Sequence, residues 1–233
     1  MKEQETNELN KNTLIVEDKK QHMDLEDIVK NLIQRYPALD ICKESIRKAG
    51  EVWVECYQKE GKLLICGNGG SASDSDHIVG ELMKSFSKKR PVTSEFKKNL
   101  IDGSGERGAI LASKLERGLA AISLNAHGGL ISAISNDIGG DFIFAQQVLG
   151  YGRKNDVLLA ISTSGNSANV IDACITAKAM GMKVVGLLGK TGGKIKSLCD
   201  VAVCVPATDT AAVQEFHLPI YHALCIMVEE TFF

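Results

Sequence analysis

Five short apolar runs, each followed by a turn and a helix-like stretch, constrain this chain more than any other feature. They are Lys62-Leu63-Leu64-Ile65-Cys66, Leu119-Ala120-Ala121-Ile122-Ser123-Leu124, residues 156–161, Lys183-Val184-Val185-Gly186-Leu187-Leu188 and Val201-Ala202-Val203-Cys204-Val205. None alternates apolar with polar residues, so each reads as a strand covered on both faces. Helical stretches follow over 72–87, 129–135, 167–180 and 210–230, with a short one after the glycine-rich turn 189–193. Strands and helices in alternation specify the α/β class: a five-stranded parallel sheet with helices on both faces, a three-layer α/β/α sandwich.

Two further helices precede the sheet pattern. Over 23–36, Leu25, Ile28, Val29, Leu32 and Ile33 recur at helical spacing, and Pro37 stops the run. A second helix is expected over 40–60, with Ile41, Ile46, Val52, Val54 and Tyr57 on its apolar face. These appended N-terminal helices either pack on the domain or form an oligomer interface. Residues 1–22 read as a polar leader, and residues 23–233 as one domain. The stretch 88–117 opens with Lys88, Lys89 and Arg90 and contains Gly103-Ser104-Gly105. It reads as a solvated insertion loop with a short helix, or a lid, rather than a nucleic-acid patch, because only Phe96 offers a stacking ring.

Composition removes several classes of function. A net charge of −2 on 233 residues gives no electrostatic case for bulk nucleic-acid binding. No run is long enough to cross a membrane, and MKEQETNELNKN lacks a signal-peptide core. Seven cysteines without a CxxC pair read as buried, reduced thiols, which places the chain in the cytoplasm.

The chemistry is expected at the carboxyl ends of the strands, where such sheets bind ligands. One turn there is Ser162-Thr163-Ser164-Gly165-Asn166-Ser167. Its hydroxyls, its glycine and the helix that follows suit a phosphate group: backbone N–H groups, the helix N-terminus and neutral donors all point one way. Helix capping is the plainer reading, but one hydroxyl suffices for a cap. The other turn is Gly67-Asn68-Gly69-Gly70-Ser71, whose glycines allow close approach and whose Asn68 and Ser71 offer donors. His77 and Glu81 lie one helical turn apart, a spacing that suits a shared metal, a shared substrate proton or a plain surface pair. Gln214 and His222 share a face of the last helix, with Pro219 between them and Glu215 and His217 on other faces.

These motifs, with Ala133-Ile134-Ser135-Asn136-Asp137, resemble sugar isomerase (SIS) domains, and among them the bacterial phosphoheptose isomerases. The likeness runs from about residue 40 to the last residue. It implies a flavodoxin-like SIS fold, a homotetramer with active sites between subunits, and interconversion of sedoheptulose 7-phosphate with D-glycero-D-manno-heptose 7-phosphate for lipopolysaccharide or surface-glycan precursors. Carried over position by position, it implies a phosphate site on Ser162, Thr163, Ser164 and Ser167, with Ser71 close by. It implies substrate contacts at Asn68, Gly69, Gly70, Asn136, Asp137 and Gln214. Glu81 and His222 match the acid/base pair, and His77, Glu81, Gln214 and His222 match a zinc set. The chain departs from the family's frequent pattern at Asn125-Ala126-His127-Gly128-Gly129, Gln146 and Ala212, which bears on substrate choice more than on reaction type. Two other readings stand beside the heptose isomerase: a non-catalytic SIS module that senses a sugar phosphate or binds a protein, and an isomerase of another sugar phosphate.

Overall fold

A computed structural model of the chain describes residues 23–233, and the leader 1–22 lies outside the described residues. The five apolar runs form β1 (Leu63–Cys66), β2 (Ala121–Ser123), β3 (Val157–Ser162), β4 (Lys183–Gly189) and β5 (Val201–Val205). The helices are α1 (Leu25–Arg35), α2 (Lys43–Gln58), α3 (Gly70–Met83), α4 (Ser94–Lys114), α5 (Gly128–Ile134), α6 (Ile143–Tyr151), α7 (Ala168–Ala179) and α8 (Thr210–Phe232). All strand pairs are parallel, in the order β2-β1-β3-β4-β5. That is the flavodoxin-like order, and it reverses direction between β1 and β3. The crevice above that point is where the two polar turns emerge.

The pleat divides the core in two. Leu63, Ile65, Leu159, Ile161, Leu187 and Val203 pack with α1, α2, α8 and the Ile78 and Leu82 side chains of α3. Leu64, Cys66, Leu158, Ala160, Val184 and Leu188 face the other way, onto α6 and α7. The continuous apolar strands are therefore covered on both faces, as their composition requires.

The leading helices pack on the domain: Leu32, Ile46 and Trp53 share one core with Tyr221, Leu224 and Val228 of α8. The expected register of α2 needs one correction. Pro37 opens a 3-10 turn, Pro37–Cys42, so α2 starts only at Lys43. Ile41 therefore lies in that turn and is 79% exposed. Ala49, Gly50 and Cys56 take the buried face alongside Ile46, Trp53 and Tyr57.

The short helix expected within the solvated stretch 88–117 is longer than that reading allowed. Thr93 caps α4 through its side chain, and the helical segment runs 21 residues with a break at Gly105 (φ 51°, ψ −127°). Its halves fold together where Gly108 meets Leu100: a Cβ on Gly108 would lie 1.9 Å from the Leu100 carbonyl oxygen. The glycines that suggested a loop instead permit a sharp helical bend. Arg90, read as part of a solvated basic stretch, is fully buried. The seven cysteines are free thiols, and burial pushes Cys56 and Cys66 up to about 12, so they stay protonated. No helix among the described residues is long and apolar enough to cross a membrane.

Candidate functional site

The first turn leaves the end of β1. Gly67 has no space for a side chain, since a Cβ there would lie 2.6 Å from the Ser71 Cβ. Gly69 takes φ 58°, a conformation that costs other residues energy. The Asn68 carbonyl accepts from the Ser71 N–H at 3.1 Å, and α3 starts directly behind. Ser71 itself is buried, so of this turn Asn68, Gly69 and Gly70 reach the surface. Gln214 of α8 packs on this turn: a Cβ at Gly70 would stand 2.5 Å from Gln214 Nε2.

The second turn leaves β3, next to β1. Ser162 Oγ lies 3.2 Å from Ser167 Oγ and accepts from the Gly165 N–H at 3.1 Å. Ser164 Oγ accepts from the Asn166 N–H at 3.1 Å. Ser167 occupies the N-cap position of α7 but makes no side-chain cap bond. The hydroxyl is turned inward toward Ser162, and the first N–H groups of α7 have no partner within the helix. Gly165 (φ 67°) presses on a backing loop, where a Cβ would lie 2.0 Å from the Gly192 carbonyl oxygen. Asn166 fastens the same loop by accepting from the Lys194 N–H at 3.1 Å.

Asn68 and Asn169 join the turns through two reciprocal amide hydrogen bonds of 2.9 Å each. Asn125, just after β2, braces the first turn by donating to the Gly67 carbonyl at 2.9 Å. Sequence reading missed Asn169, because one asparagine in a helix carries no motif.

Below the turns, α3 and α8 bring together His77, Glu81 and His222. His77 Nε2 pairs with Glu81 Oε1 at 3.0 Å, and the His77 and His222 ring centroids are 5.1 Å apart. His77 Nδ1 pairs with the Tyr221 hydroxyl at 3.0 Å, and that hydroxyl donates to Asp74 Oδ1 at 3.3 Å. Each ring nitrogen of His77 is thus engaged, which fixes the ring and holds the Glu81 carboxylate. Asp74 and Tyr221 were not singled out from the sequence. Asp74 lies one turn before His77 on the same face, and that spacing was the available signal. Burial, helped by the neighbouring His77 and opposed by Glu81, holds the His222 imidazole below its usual pKa and keeps it neutral at pH 7. Burial raises the Asp74 carboxyl, with the Tyr221 hydrogen bond and His77 opposing.

The donors His77, Glu81 and His222 suit zinc by type, and His222 Nε2 is buried without a hydrogen-bond partner. Gln214 lies about two turns before His222 on the same face of α8 and packs on Gly70. Among the described residues no three His, Cys, Asp or Glu side chains form a preformed metal cluster. Glu81 holds the His77 nitrogen that a metal would take.

Asn136 and Asp137 lie on a π turn (Ser135–Gly139) that follows α5, both exposed, with Asn136 donating to Asp137 at 2.7 Å. Such turns recur at functional sites. Among the departures, His127 caps α5 by accepting from the Leu130 N–H at 3.1 Å, an ordinary structural role. His217 is fully buried against β4 and takes no part in the cluster. A cavity lined by Lys59, Lys62, Arg153 and Lys154 opens at the opposite, N-terminal edge of the strands, away from these residues.

Comparison with known proteins gives a consistent result. The SIS domain family model matches residues 27–117 and 112–189. The chain is 42% identical over 193 residues to a phosphoheptose isomerase of Campylobacter jejuni, covering 83% of this chain and 90% of that one. It is 39% identical over 212 residues to the phosphoheptose isomerase of a Nitratiruptor species, covering 89% and 100%. Among solved structures it resembles a phosphoheptose isomerase from Neisseria gonorrhoeae, with a TM-score of 0.67 and 35% identity over 86% of this chain and 94% of that one.

Proposed function

The chain belongs to the SIS domain family, among the phosphoheptose isomerases, and from that premise we propose that it interconverts sedoheptulose 7-phosphate and D-glycero-D-manno-heptose 7-phosphate. The observation that carries this reading is the meeting of Glu81, fixed by His77, with a neutral His222 beneath the two polar turns.

The chemistry follows from those groups. The phosphate binds Ser162, Thr163, Ser164, Ser167 and the first N–H groups of α7, which anchors the far end of the sugar. Asn68, Gly69 and Gly70 approach the sugar hydroxyls, Gln214 orients one of its oxygens, and Asn136 and Asp137 close the site from the π turn. The Glu81 carboxylate takes the proton from C1 of the ketose, and the C1–H electrons form the C1–C2 double bond of an enediol. A proton returned to C2 completes the aldose. His222, kept neutral by burial, moves the hydroxyl proton between O2 and O1. Zinc is proposed on His77, Glu81 and His222, with Gln214 near by; when bound it would polarise the oxygen that bears the developing charge.

The reading extends to the whole assembly. Residues 23–233 form one SIS unit, and the protein works as a cytoplasmic homotetramer with sites between subunits. The exposed Met83, Ile138, Phe142, Leu149 and Leu218 support association, since they leave apolar area for a second copy to cover. Light scattering after size exclusion tests this, with four copies expected.

Turnover of sedoheptulose 7-phosphate by the purified protein tests the function. Wild type is expected to form the aldose phosphate, and Glu81→Gln to lose about a hundredfold or more in kcat. Intact turnover in Glu81→Gln overturns the role given to this carboxylate. Tight sugar-phosphate binding without turnover moves the chain to a sensing module, and turnover of a shorter sugar phosphate alone changes the substrate.

A further inference from the structure

Arg90 is fully buried in the segment that links α3 to α4, and three of its donors are committed. Its Nε donates to Glu229 Oε1 at 2.7 Å, its Nη1 to the Leu82 carbonyl at 2.7 Å and its Nη2 to the Glu81 carbonyl at 3.1 Å. Those carbonyls belong to the last turn of α3, whose oxygens have no partner within the helix. The guanidinium therefore caps the helix at the residue that carries the proposed base. Glu229 is likewise fully buried and accepts from the Phe86 N–H at 3.0 Å, the Ser87 N–H at 2.8 Å and the Ser87 hydroxyl at 2.6 Å. The Phe233 ring closes the pair at 4.8 Å from the guanidinium carbon. Glu229 follows His222 on α8 by seven residues, on the same helix face about 10 Å further along. One ion pair thus ties the Glu81 end of α3 to the helix that carries His222.

We propose that Arg90, held by Glu229, is a positioning residue that sets the placement of Glu81 relative to His222. This rests on the acid/base reading given above. Stability alone is a poor reason for such a pair, because apolar residues of similar volume often replace a buried ion pair without loss. Proton transfer between carbon atoms is different, since about 1 Å of misplacement is enough to cost about a hundredfold in rate. A planar guanidinium that holds two carbonyls and a carboxylate at once supplies that placement, and an ammonium on a flexible stem does not.

The test uses Arg90→Lys and the paired apolar variant Arg90→Met with Glu229→Leu, which leaves no unpaired buried charge. Kinetics with sedoheptulose 7-phosphate and thermal unfolding are read together. The apolar variant leaves the Phe86 and Ser87 N–H groups without their acceptor, so it is expected to unfold at a lower temperature, and kinetics are taken where both variants are fully folded. There kcat is expected at least about tenfold lower and KM within about twofold, because the phosphate turn is untouched. Wild-type kcat in the folded apolar variant overturns the proposal. So does a loss of activity that only tracks the folded fraction. Crystal structures of wild type and the apolar variant give a readout that needs no turnover: the Glu81 and His222 side chains are expected to separate or rotate, and superimposable positions overturn the proposal. If wild type fails to turn over the sugar phosphate, the proposed function falls, and the crystallographic comparison still decides the role of Arg90.

Discussion

His217 makes the acid stability of this fold predictable. It is fully buried on α8, makes no side-chain hydrogen bond of ordinary geometry, and burial pushes its pKa down to about 4 from 6.5, with the Leu188 backbone opposing. A histidine with a lowered folded pKa binds its proton first in the unfolded chain. Its contribution is therefore complete above pH 6.5 and is lost as pH falls from 6.5 toward 4. At about 1.4 kcal/mol per pKa unit, the full loss is about 3 kcal/mol, and about 2 kcal/mol is gone by pH 5. Urea unfolding at pH 8 and pH 5, followed by circular dichroism at one protein concentration, measures this. His217→Leu removes the titration while keeping the volume apolar. Carboxylates elsewhere affect both proteins alike, so the difference between them isolates the imidazole. The variant is expected to lose about 2 kcal/mol less than wild type between those pH values. Equal losses would refute the reasoning.

The turns and the proposed zinc yield further expectations. Ser167→Ala removes one proposed phosphate donor without removing a cap, so KM should rise about fivefold with the melting temperature little changed; a drop in stability with unchanged KM would show that the hydroxyl only serves the helix. Gly165→Ala drives a Cβ into the Gly192 carbonyl at a left-handed position, and should cost about 2 kcal/mol or more in chemical denaturation. Asn169→Ala breaks the amide pair to Asn68 and should raise the Kd for inorganic phosphate and substrate while leaving His77 and Glu81 in place, checked by calorimetry. Treatment with a chelator should lower turnover and added zinc should restore it; undiminished turnover assigns the chemistry to the side chains alone.

The fold was legible because its signal is local. Each strand is a short apolar run and each crossover a helical one, so the class, the strand number and the polar strand ends follow from order along the chain. The two polar turns at the ends of β1 and β3 were legible for the same reason. What sequence hides is what burial decides. Arg90 sits among lysines, and nothing in that stretch shows that Glu229, far along the chain, waits to receive it. The glycines of 103–108 signal a break in the chain equally well for a loop and for a bent helix, and only the contact of Gly108 with Leu100 chooses. Ile41 shifted out of α2 because a 3-10 turn after Pro37 moved the register, a change that apolar spacing does not record. The His77–Glu81 spacing was visible, whereas the Tyr221 hydroxyl that fixes the other His77 nitrogen comes from a distant helix.

The central claim is that Glu81 and His222 run the isomerisation through an enediol. Its most direct test is turnover of sedoheptulose 7-phosphate in deuterium oxide, with the aldose product read by NMR. Glu81 is partly open to solvent, so the proton that it carries exchanges. The account predicts deuterium at C2 of the product, and loss of that incorporation in Glu81→Gln. Aldose carrying deuterium at C2, formed by Glu81→Gln at the wild-type rate, would contradict it.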